Sequence, residues 1–233
     1  RTLDGPGIAV ELATPAGALE LRSPLVGAFN LDNLMVVVGL AIGLGLELGP
    51  IAEALRTATG APGRLEWVGP SDSTRTDCPA VYVDYAHTPD AVERALAVLR
   101  PSTAGRLIVL LGCGGDRDRA KRPLMGAAAS NGSDLFWATS DNPRSEDPGA
   151  IVDEMIAELA RGPALRREVD RARAIALAIA DAKVDDVVLI AGKGHEKTQT
   201  IGERVIDFDD CEHARRALAA RPHLRSDPLH FEA

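Results

Sequence analysis

Aromatic residues, paired cysteines and long hydrophobic runs are all scarce in this sequence. Aromatics make up only 3% of the chain, which argues against a surface that stacks on nucleic-acid bases. Cys78, Cys113 and Cys211 are far apart and form no CxxC pair. This spacing excludes a disulfide framework and the usual thiolate zinc site, and it favours a reducing compartment. The most apolar stretch, residues 34–46, is shorter than the roughly 20 residues that cross a bilayer.

Basic residues are also fewer than acidic residues. The 26 Lys and Arg residues face 34 Asp and Glu residues, and the formal net charge is -8, so we expect neither a nucleic-acid nor a membrane partner. The 45% hydrophobic and 26% charged residues are typical of a soluble globular protein. The 233 residues allow one complete domain plus part of another. Because the start lacks both a Met and a signal-peptide pattern, we expect a processed chain or a fragment.

The first quarter of the chain differs in organisation from the rest. Two short apolar runs, residues 8–12 and 18–22, predict a hairpin, and residues 30–46 and 50–57 predict two helices. A Gly/Pro cluster at residues 60–63 then marks the expected domain boundary. We therefore predict a partial domain over residues 1–62 and a second domain over residues 63–233.

Strand and helix patterns alternate after this boundary. The predicted strands are residues 80–85, 106–112, 134–140 and 186–192, and the predicted helices between them are residues 88–99, 121–131, 148–161 and 171–181. This order indicates an α/β fold, a mainly parallel sheet with helices on both faces. We further predict a hairpin over residues 198–208, a helix over residues 209–220 and a loosely ordered polar tail from residue 221.

Four chemically distinctive segments follow the predicted strands, where an open parallel sheet binds its ligands. In the first, DYAHTPD, Thr88 and Pro89 predict a helix cap, which leaves Asp84 and His87 unexplained. The second, GCGGDRDR from Gly112, can cradle an anion with Arg117 beside it. It could equally be a flexible charged loop. It is not a dinucleotide fingerprint, because Arg117 replaces the required third glycine.

The third segment is Asp141–Asn142–Pro143–Arg144, a compact set of donors and acceptors that could also be an ordinary Asx-Pro turn. The fourth, GKGHEKT from Gly192, is not a P-loop, because the glycines of GxxxxGK[ST] are missing, and no second histidine follows to bind zinc. It presents lysine, histidine and glutamate on a glycine-flanked turn. A lone histidine such as His195 is more often structural than catalytic.

Eight motifs together resemble the Mur ligases, and in particular their MurE-type, diaminopimelate-adding members. They are GAFNLDN, GRLE, VDYAHTPD, GCGGDRD, KRPLM, DNPR, EDP and GKGHE, in the family's order. The resemblance implies the end of a central ATP-binding domain followed by a Rossmann-like carboxyl-terminal domain. It places the P-loop, the magnesium ligands and a carbamoylated lysine outside this sequence. We therefore predict no metal site in the chain and no activity for the chain alone.

The resemblance also implies binding roles, but it assigns no certain catalytic residue. The implied ATP-binding residues are Asn30, Asn33, Arg64, Asp84 and His87. The implied diaminopimelate-binding residues are Arg117, Asp141, Asn142, Pro143, Arg144, Gly192 and Glu196. Such a set suits a ligand with two zwitterionic centres, because arginines bind carboxylates and acidic or carbonyl groups bind ammoniums.

The implied function is ATP- and Mg²⁺-dependent joining of meso-diaminopimelate to UDP-N-acetylmuramoyl-alanyl-glutamate through an acyl phosphate, in peptidoglycan synthesis. We expect a cytoplasmic monomer, or alternatively a plastid protein. Two alternatives remain: a folylpolyglutamate-synthase-like ligase, which should lack DNPR, and a non-catalytic scaffold protein of a plastid transcription complex. The intact DNPR and GKGHE segments favour the ligase.

Overall fold

The amino-terminal part pairs a hairpin with two helices. The computed structural model describes residues 7–69, 77–159 and 164–222. Strands β1 (Ile8–Thr14) and β2 (Gly17–Ser23) pair antiparallel, as predicted. Helices α1 (Ala28–Gly43) and α2 (Leu48–Arg56) pack on the hairpin through an apolar cluster that includes Leu19, Leu34 and Ile51. Helix α1 starts and ends slightly earlier than predicted.

A six-stranded sheet organises the remainder of the chain. Its order is β3-β4-β8-β5-β6-β7, with every neighbouring pair parallel except β3 and β4. The strands are β3 (Glu66–Val68), β4 (Ala80–Asp84), β5 (Leu107–Cys113), β6 (Leu135–Ser140), β7 (Leu165–Arg167) and β8 (Val187–Ala191). The predicted mainly parallel α/β sheet is confirmed. The short edge strands β3 and β7 were not predicted.

Helices cover both faces of this sheet, which explains why its central strands are apolar at every position. Leu107 and Val109 of β5 pack on one face, and Ile108 and Leu110 pack on the other; all four are fully buried. The first face carries α3 (Pro89–Leu99), α4 (Lys121–Gly132) and α5 (Pro148–Ile156). The second carries α6 (Arg171–Asp181) and α7 (Asp210–Ala220).

The remaining local predictions have mixed outcomes. The Thr88 cap is confirmed, because its hydroxyl accepts from the Ala91 amide at 3.3 Å and Pro89 opens α3. The predicted carboxyl-terminal hairpin is β9 (Thr198–Ile201) with β10 (Arg204–Asp207). Helix α5 ends at Ile156, earlier than predicted. Residue 161 and the predicted tail from residue 223 lie outside the described residues.

The predicted domain division after residue 62 stays a prediction. Most apolar residues of the amino-terminal part form their own cluster. Val26, however, packs with Ala95 and Leu99 of α3 in the core of the larger sheet. Among the described residues, no helix combines the length and the apolar character needed to span a membrane.

Candidate functional site

The loops that follow β4, β5, β6 and β8 line one cavity of about 380 Å³ at the carboxyl edge of the sheet. The sheet order brings these four strand ends side by side, although their sequences are far apart. Seven predicted site residues line this cavity: His87, Arg117, Asp141, Asn142, Arg144, Gly192 and Glu196. The other five do not line it: Asn30, Asn33, Arg64, Asp84 and Pro143. The structure therefore places most of the residues implied to bind diaminopimelate around one cavity. Most of the residues implied to bind ATP do not line it.

Backbone contacts lock the loop after β5 to the loop after β6. The Gly115 amide donates to Asn142 O at 2.9 Å, and Arg144 Nη1 donates to Gly115 O at 2.7 Å. A Cβ on Gly115 would fall on the carbonyl oxygen of Pro143, so only glycine fits there. Arg144 has a positive φ of 51°, a conformation that costs free energy for a non-glycine residue and that often marks functional sites.

A buried ion-pair network supports the turn that carries Arg117. Glu146 accepts from the neighbouring Asp116 amide at 2.6 Å and from the Arg122 guanidinium at 2.7 and 3.0 Å. Hydrogen bonding to Arg122, together with the Asp116 amide, lowers the pKa of Glu146 to about 2. Arg122 is only 1% exposed. Arg117 itself is exposed, and its guanidinium has no partner among the described residues, so it can bind a ligand anion.

Lys193 connects the loop after β6 to the loop after β8. Its side chain is completely buried, and Nζ lies 3.1 Å from Asn142 Oδ1, 3.3 Å from Glu196 Oε2 and 3.6 Å from Asp141 Oδ1. The Asn142 amide also donates to Glu196 Oε2 at 2.8 Å. The predicted ligand set did not include Lys193. The signal available was a lysine between two glycines directly after a fully apolar strand.

A second buried cation lies behind the cavity. Arg171 donates to both carboxylate oxygens of Asp210, at 2.8 and 2.7 Å, and neither side chain is exposed. Its guanidinium also donates to Ser140 O at 3.2 Å and Ala191 O at 3.0 Å, the last residues of β6 and β8. Burial raises the pKa of the adjacent Asp141, although the charges of Arg171 and Lys193 oppose the rise.

The Asp84 carboxylate accepts hydrogen bonds from two backbone amides and does not line the cavity. Its carboxylate accepts from the Leu65 amide at 2.7 Å and from the Ala86 amide at 2.8 Å. Burial raises the pKa of Asp84, while these two hydrogen bonds and the charge of Arg64 act in the opposite direction. Asp84 therefore fixes the turn that presents Arg64. Leu65 in this turn has a positive φ of 44°.

Polar and aromatic side chains surround Tyr85 beside this turn. The Arg64 guanidinium carbon lies 5.4 Å from the Tyr85 ring centre. The rings of His87 and His195 lie 4.5 and 5.3 Å from it, centre to centre. His87 Nδ1 is 2.7 Å from Tyr85 O. These side chains form a cationic and aromatic rim next to the cavity.

Asn30 and Asn33 lie near the start of α1 and do not line the cavity. The Asn30 amide donates to Val26 O at 2.8 Å, which fixes its orientation. The Asn33 amide lies 3.5 Å from Asn30 Oδ1. Their predicted role at adenine stays a prediction.

The described residues do not form a site for the magnesium ion that the resemblance implies. They contain no group of three or more His, Cys, Asp or Glu side chains able to hold a metal. The two predicted carboxylate residues, Asp141 and Glu196, lie 3.6 and 3.3 Å from Lys193 Nζ instead.

Comparisons with known proteins identify the family that the chain resembles. A family model described as "Mur ligase, glutamate ligase domain" matches residues 63–194. The chain is 50% identical over 219 residues to the UDP-N-acetylmuramoyl-L-alanyl-D-glutamate–2,6-diaminopimelate ligase of Parasynechococcus marenigrum, covering 94% of the chain and 44% of the relative. It is 52% identical over 215 residues to the protein of the same name from Gloeobacter violaceus, covering 92% and 43%.

A solved structure with the same ligase name has a TM-score of 0.72 and 39% sequence identity to the chain. The match covers 90% of this chain and 42% of that one. The chain thus spans less than half the length of the relatives that it matches.

Proposed function

The chain belongs to the Mur ligase family, as its motifs predicted, and on that premise we propose that it forms the amino-acid-binding part of an ATP-dependent ligase. The ligase joins meso-diaminopimelate to UDP-N-acetylmuramoyl-L-alanyl-D-glutamate, in the cytoplasm or a plastid. The observation that carries this proposal is one cavity whose lining brings together arginines and carboxylates from three separate loops, namely Arg117 after β5, Asp141 and Arg144 after β6, and Glu196 after β8. In this proposal, residues 63–233 are the carboxyl-terminal domain, and residues 1–62 end the ATP-binding domain.

The charges of the cavity match the two ends of diaminopimelate. Each end carries an ammonium and a carboxylate, so the ligand needs cations and anions at separate points. Arg144 uses Nη1 to bind backbone carbonyls, which fixes the guanidinium and leaves its other nitrogens for a carboxylate. Arg117 binds the second carboxylate. Asp141 and Glu196 bind the ammonium of the centre that does not react.

The proposed reaction has two steps. The glutamyl carboxylate of the UDP-sugar dipeptide attacks the γ-phosphorus of ATP, which forms an acyl phosphate and releases ADP. The free amine of diaminopimelate attacks the acyl carbon, and the tetrahedral intermediate expels phosphate and loses a proton to leave an amide. The residues of this chain contribute by holding the amine at the right place. The nucleotide is bound by the rim side chains Arg64, His87 and Tyr85. Asp84, Asn30 and Asn33 complete this nucleotide site.

The test compares diaminopimelate with lysine as substrates of the full-length protein. Lysine lacks one carboxylate, so it leaves the cation that would bind it unpaired. We expect wild type to prefer diaminopimelate strongly, since sites built to bind a polar group reject analogues without it by about 10⁴-fold. Arg144→Ala should lose about 2–5 kcal/mol of binding free energy for diaminopimelate. The preference of the enzyme for diaminopimelate over lysine should therefore become smaller. Glu196→Ala should weaken the binding of both diaminopimelate and lysine.

A matched control is Arg94→Ala, because Arg94 is an exposed arginine that pairs with Asp90 on the surface of α3. It should retain wild-type kinetics. A wild-type protein that ligates glutamate instead would indicate the folylpolyglutamate-type reaction. A protein that ligates no amino acid in the presence of ATP and the UDP-sugar dipeptide would indicate a scaffold. Wild-type preference in Arg144→Ala would exclude the role given to Arg144.

A further inference from the structure

Lys193 is a buried cation without a part in the proposed binding contacts. It is fully buried and does not line the cavity, although its neighbours Gly192 and Glu196 do. The flanking glycines have positive φ values of 115° and 52°. A Cβ on Gly192 would lie 2.8 Å from Asp141 Oδ2, and one on Gly194 would lie 2.6 Å from Tyr85 Cβ. This tight turn places the lysine side chain behind the cavity wall.

The Lys193 ammonium has three N–H donors and three neighbouring side-chain oxygens, one for each donor. A lysine has three N–H donors, and Nζ lies 3.1–3.6 Å from one oxygen each of Asn142, Glu196 and Asp141. Asn142 Oδ1 also accepts from the Thr200 amide at 3.0 Å. With Oδ1 held by two donors, the Asn142 side-chain nitrogen must face Glu196. Lys193 and the Thr200 amide together set which way the amide is turned.

The same contacts determine which Glu196 oxygen is available. Nζ of Lys193 and Nδ2 of Asn142 both contact Oε2 of Glu196. Among the described residues, Oε1 has no partner, and the Glu196 side chain is 35% exposed. Oε1 is therefore the oxygen presented to a ligand in the cavity.

Charge counting gives a further reason for a lysine here. Arg171 and Asp210 neutralise each other in a two-bond pair. The cluster of Asp141, Glu196 and Lys193 then carries one net negative charge, which one ligand ammonium would balance. Without Lys193, two close carboxylates would share a partly dry site, and such pairs take up a proton.

We infer that Lys193 is the positioning residue of the amino-acid site, which holds Asn142 and Glu196 in their orientation toward the cavity and places a positive charge beside Asp141. This inference rests on the proposed function, because the ligand it serves is the ammonium of an amino acid.

The test uses Lys193→Met in the full-length protein, with Lys197→Met as the matched control. Methionine keeps the length of the side chain and removes the charge. Lys197 lies in the same segment but is exposed and pairs with Asp209. We expect the KM for diaminopimelate to rise by about 30-fold or more in Lys193→Met, with the KM values for ATP and the UDP-sugar dipeptide unchanged. Lys197→Met should stay within about 3-fold of wild type.

The pH profile separates positioning from simple loss of structure. The Lys193 charge lowers the pKa of Asp141, so its removal should raise that pKa further and favour protonation of Asp141. The KM ratio of variant to wild type should therefore shrink as the pH rises from 6 to 9. The other groups around Asp141 are Arg171, Asp210, Glu196 and Cys113. Burial raises the pKa of the Cys113 thiol to about 12, so this thiol does not titrate in the range.

A double-variant comparison covers the case in which Lys193→Met is unstable. In a Glu196→Gln background, one anion is already neutral, so removing Lys193 should cost much less diaminopimelate affinity than in wild type. Additive losses would overturn the inference. So would an unchanged KM for diaminopimelate, a KM ratio that does not vary with pH, or an equal loss for all three substrates.

Failure of the proposed function can be told apart from failure of this inference. If wild type does not ligate diaminopimelate, the substrate assignment fails. The Asp141 carboxyl can still be titrated by carbon-13 NMR in ligand-free protein. A higher pKa for Asp141 in Lys193→Met than in wild type supports the positioning role, and an identical titration overturns it.

Discussion

Removing Arg171 from its buried pair with Asp210 should greatly lower the stability of the protein, and removing both charges should recover most of that loss. Both side chains are fully buried and joined by two hydrogen bonds of 2.8 and 2.7 Å. Arg171→Met would leave Asp210 as an uncompensated buried charge, which costs about 3–5 kcal/mol. The carbonyls of Ser140 and Ala191 would also lose donors. In a protein of this size the loss corresponds to a Tm lower by roughly 6–20 °C.

Urea unfolding of the 233-residue chain, followed by circular dichroism, measures this loss. The double variant Arg171→Met/Asp210→Leu should recover most of it and remain about 1–3 kcal/mol below wild type, because the two carbonyls still lack their donor. Arg216→Met is the control, since Arg216 pairs with Glu212 on the exposed surface of α7, and it should cost less than about 1 kcal/mol. A single variant as stable as this control, or a double variant no better than the single, would refute the reasoning.

Two further predictions concern the loops that hold the cavity together. Gly115→Ala should destabilise the protein by about 2–4 kcal/mol in urea unfolding, because its Cβ meets the Pro143 carbonyl and two hydrogen bonds break. Gly114→Ala should cost less stability than Gly115→Ala and should weaken diaminopimelate binding, since its Cβ would lie 2.9 Å from the side-chain atom Arg144 Nη1 and makes no such close contact with backbone. The Glu146 pKa of about 2 lies below its ordinary value of 4.5. Its stabilisation is therefore present above pH 4.5 and lost between pH 4.5 and 2, and the acid-induced fall in Tm should be smaller in Glu146→Gln.

Sequence patterns predicted the long elements well because burial on both faces makes the two central strands, β5 and β8, apolar at every position. The edge strands β3 and β7 have three residues each, too few to show an alternating pattern. They are strands because Glu66–Val68 and Leu165–Arg167 find partners at the two edges of the sheet. Such pairing depends on tertiary structure, so local sequence does not reveal it.

The candidate site was predictable to the extent that a general rule gathers its residues. Ligand-binding groups follow the carboxyl ends of parallel strands, and Arg117, Asn142 and Glu196 lie after three such strands. The buried cations were not predictable in this way. Lys193 contacts Asp141 and Arg171 pairs with Asp210, and both of these partners come from distant segments. A lysine or arginine in sequence otherwise indicates solvent exposure.

Asp84 shows why a binding role and a structural role must be separated at this site. The resemblance implies a contact between Asp84 and a ribose, yet its carboxylate already binds the amides of Leu65 and Ala86. The two roles are compatible, because an ionised carboxylate has about four acceptor positions. Removing the carboxylate would also release the turn that holds Arg64 over Tyr85. A loss of nucleotide affinity in an Asp84 variant therefore identifies a ribose contact only if the position of Arg64 is shown to be unchanged.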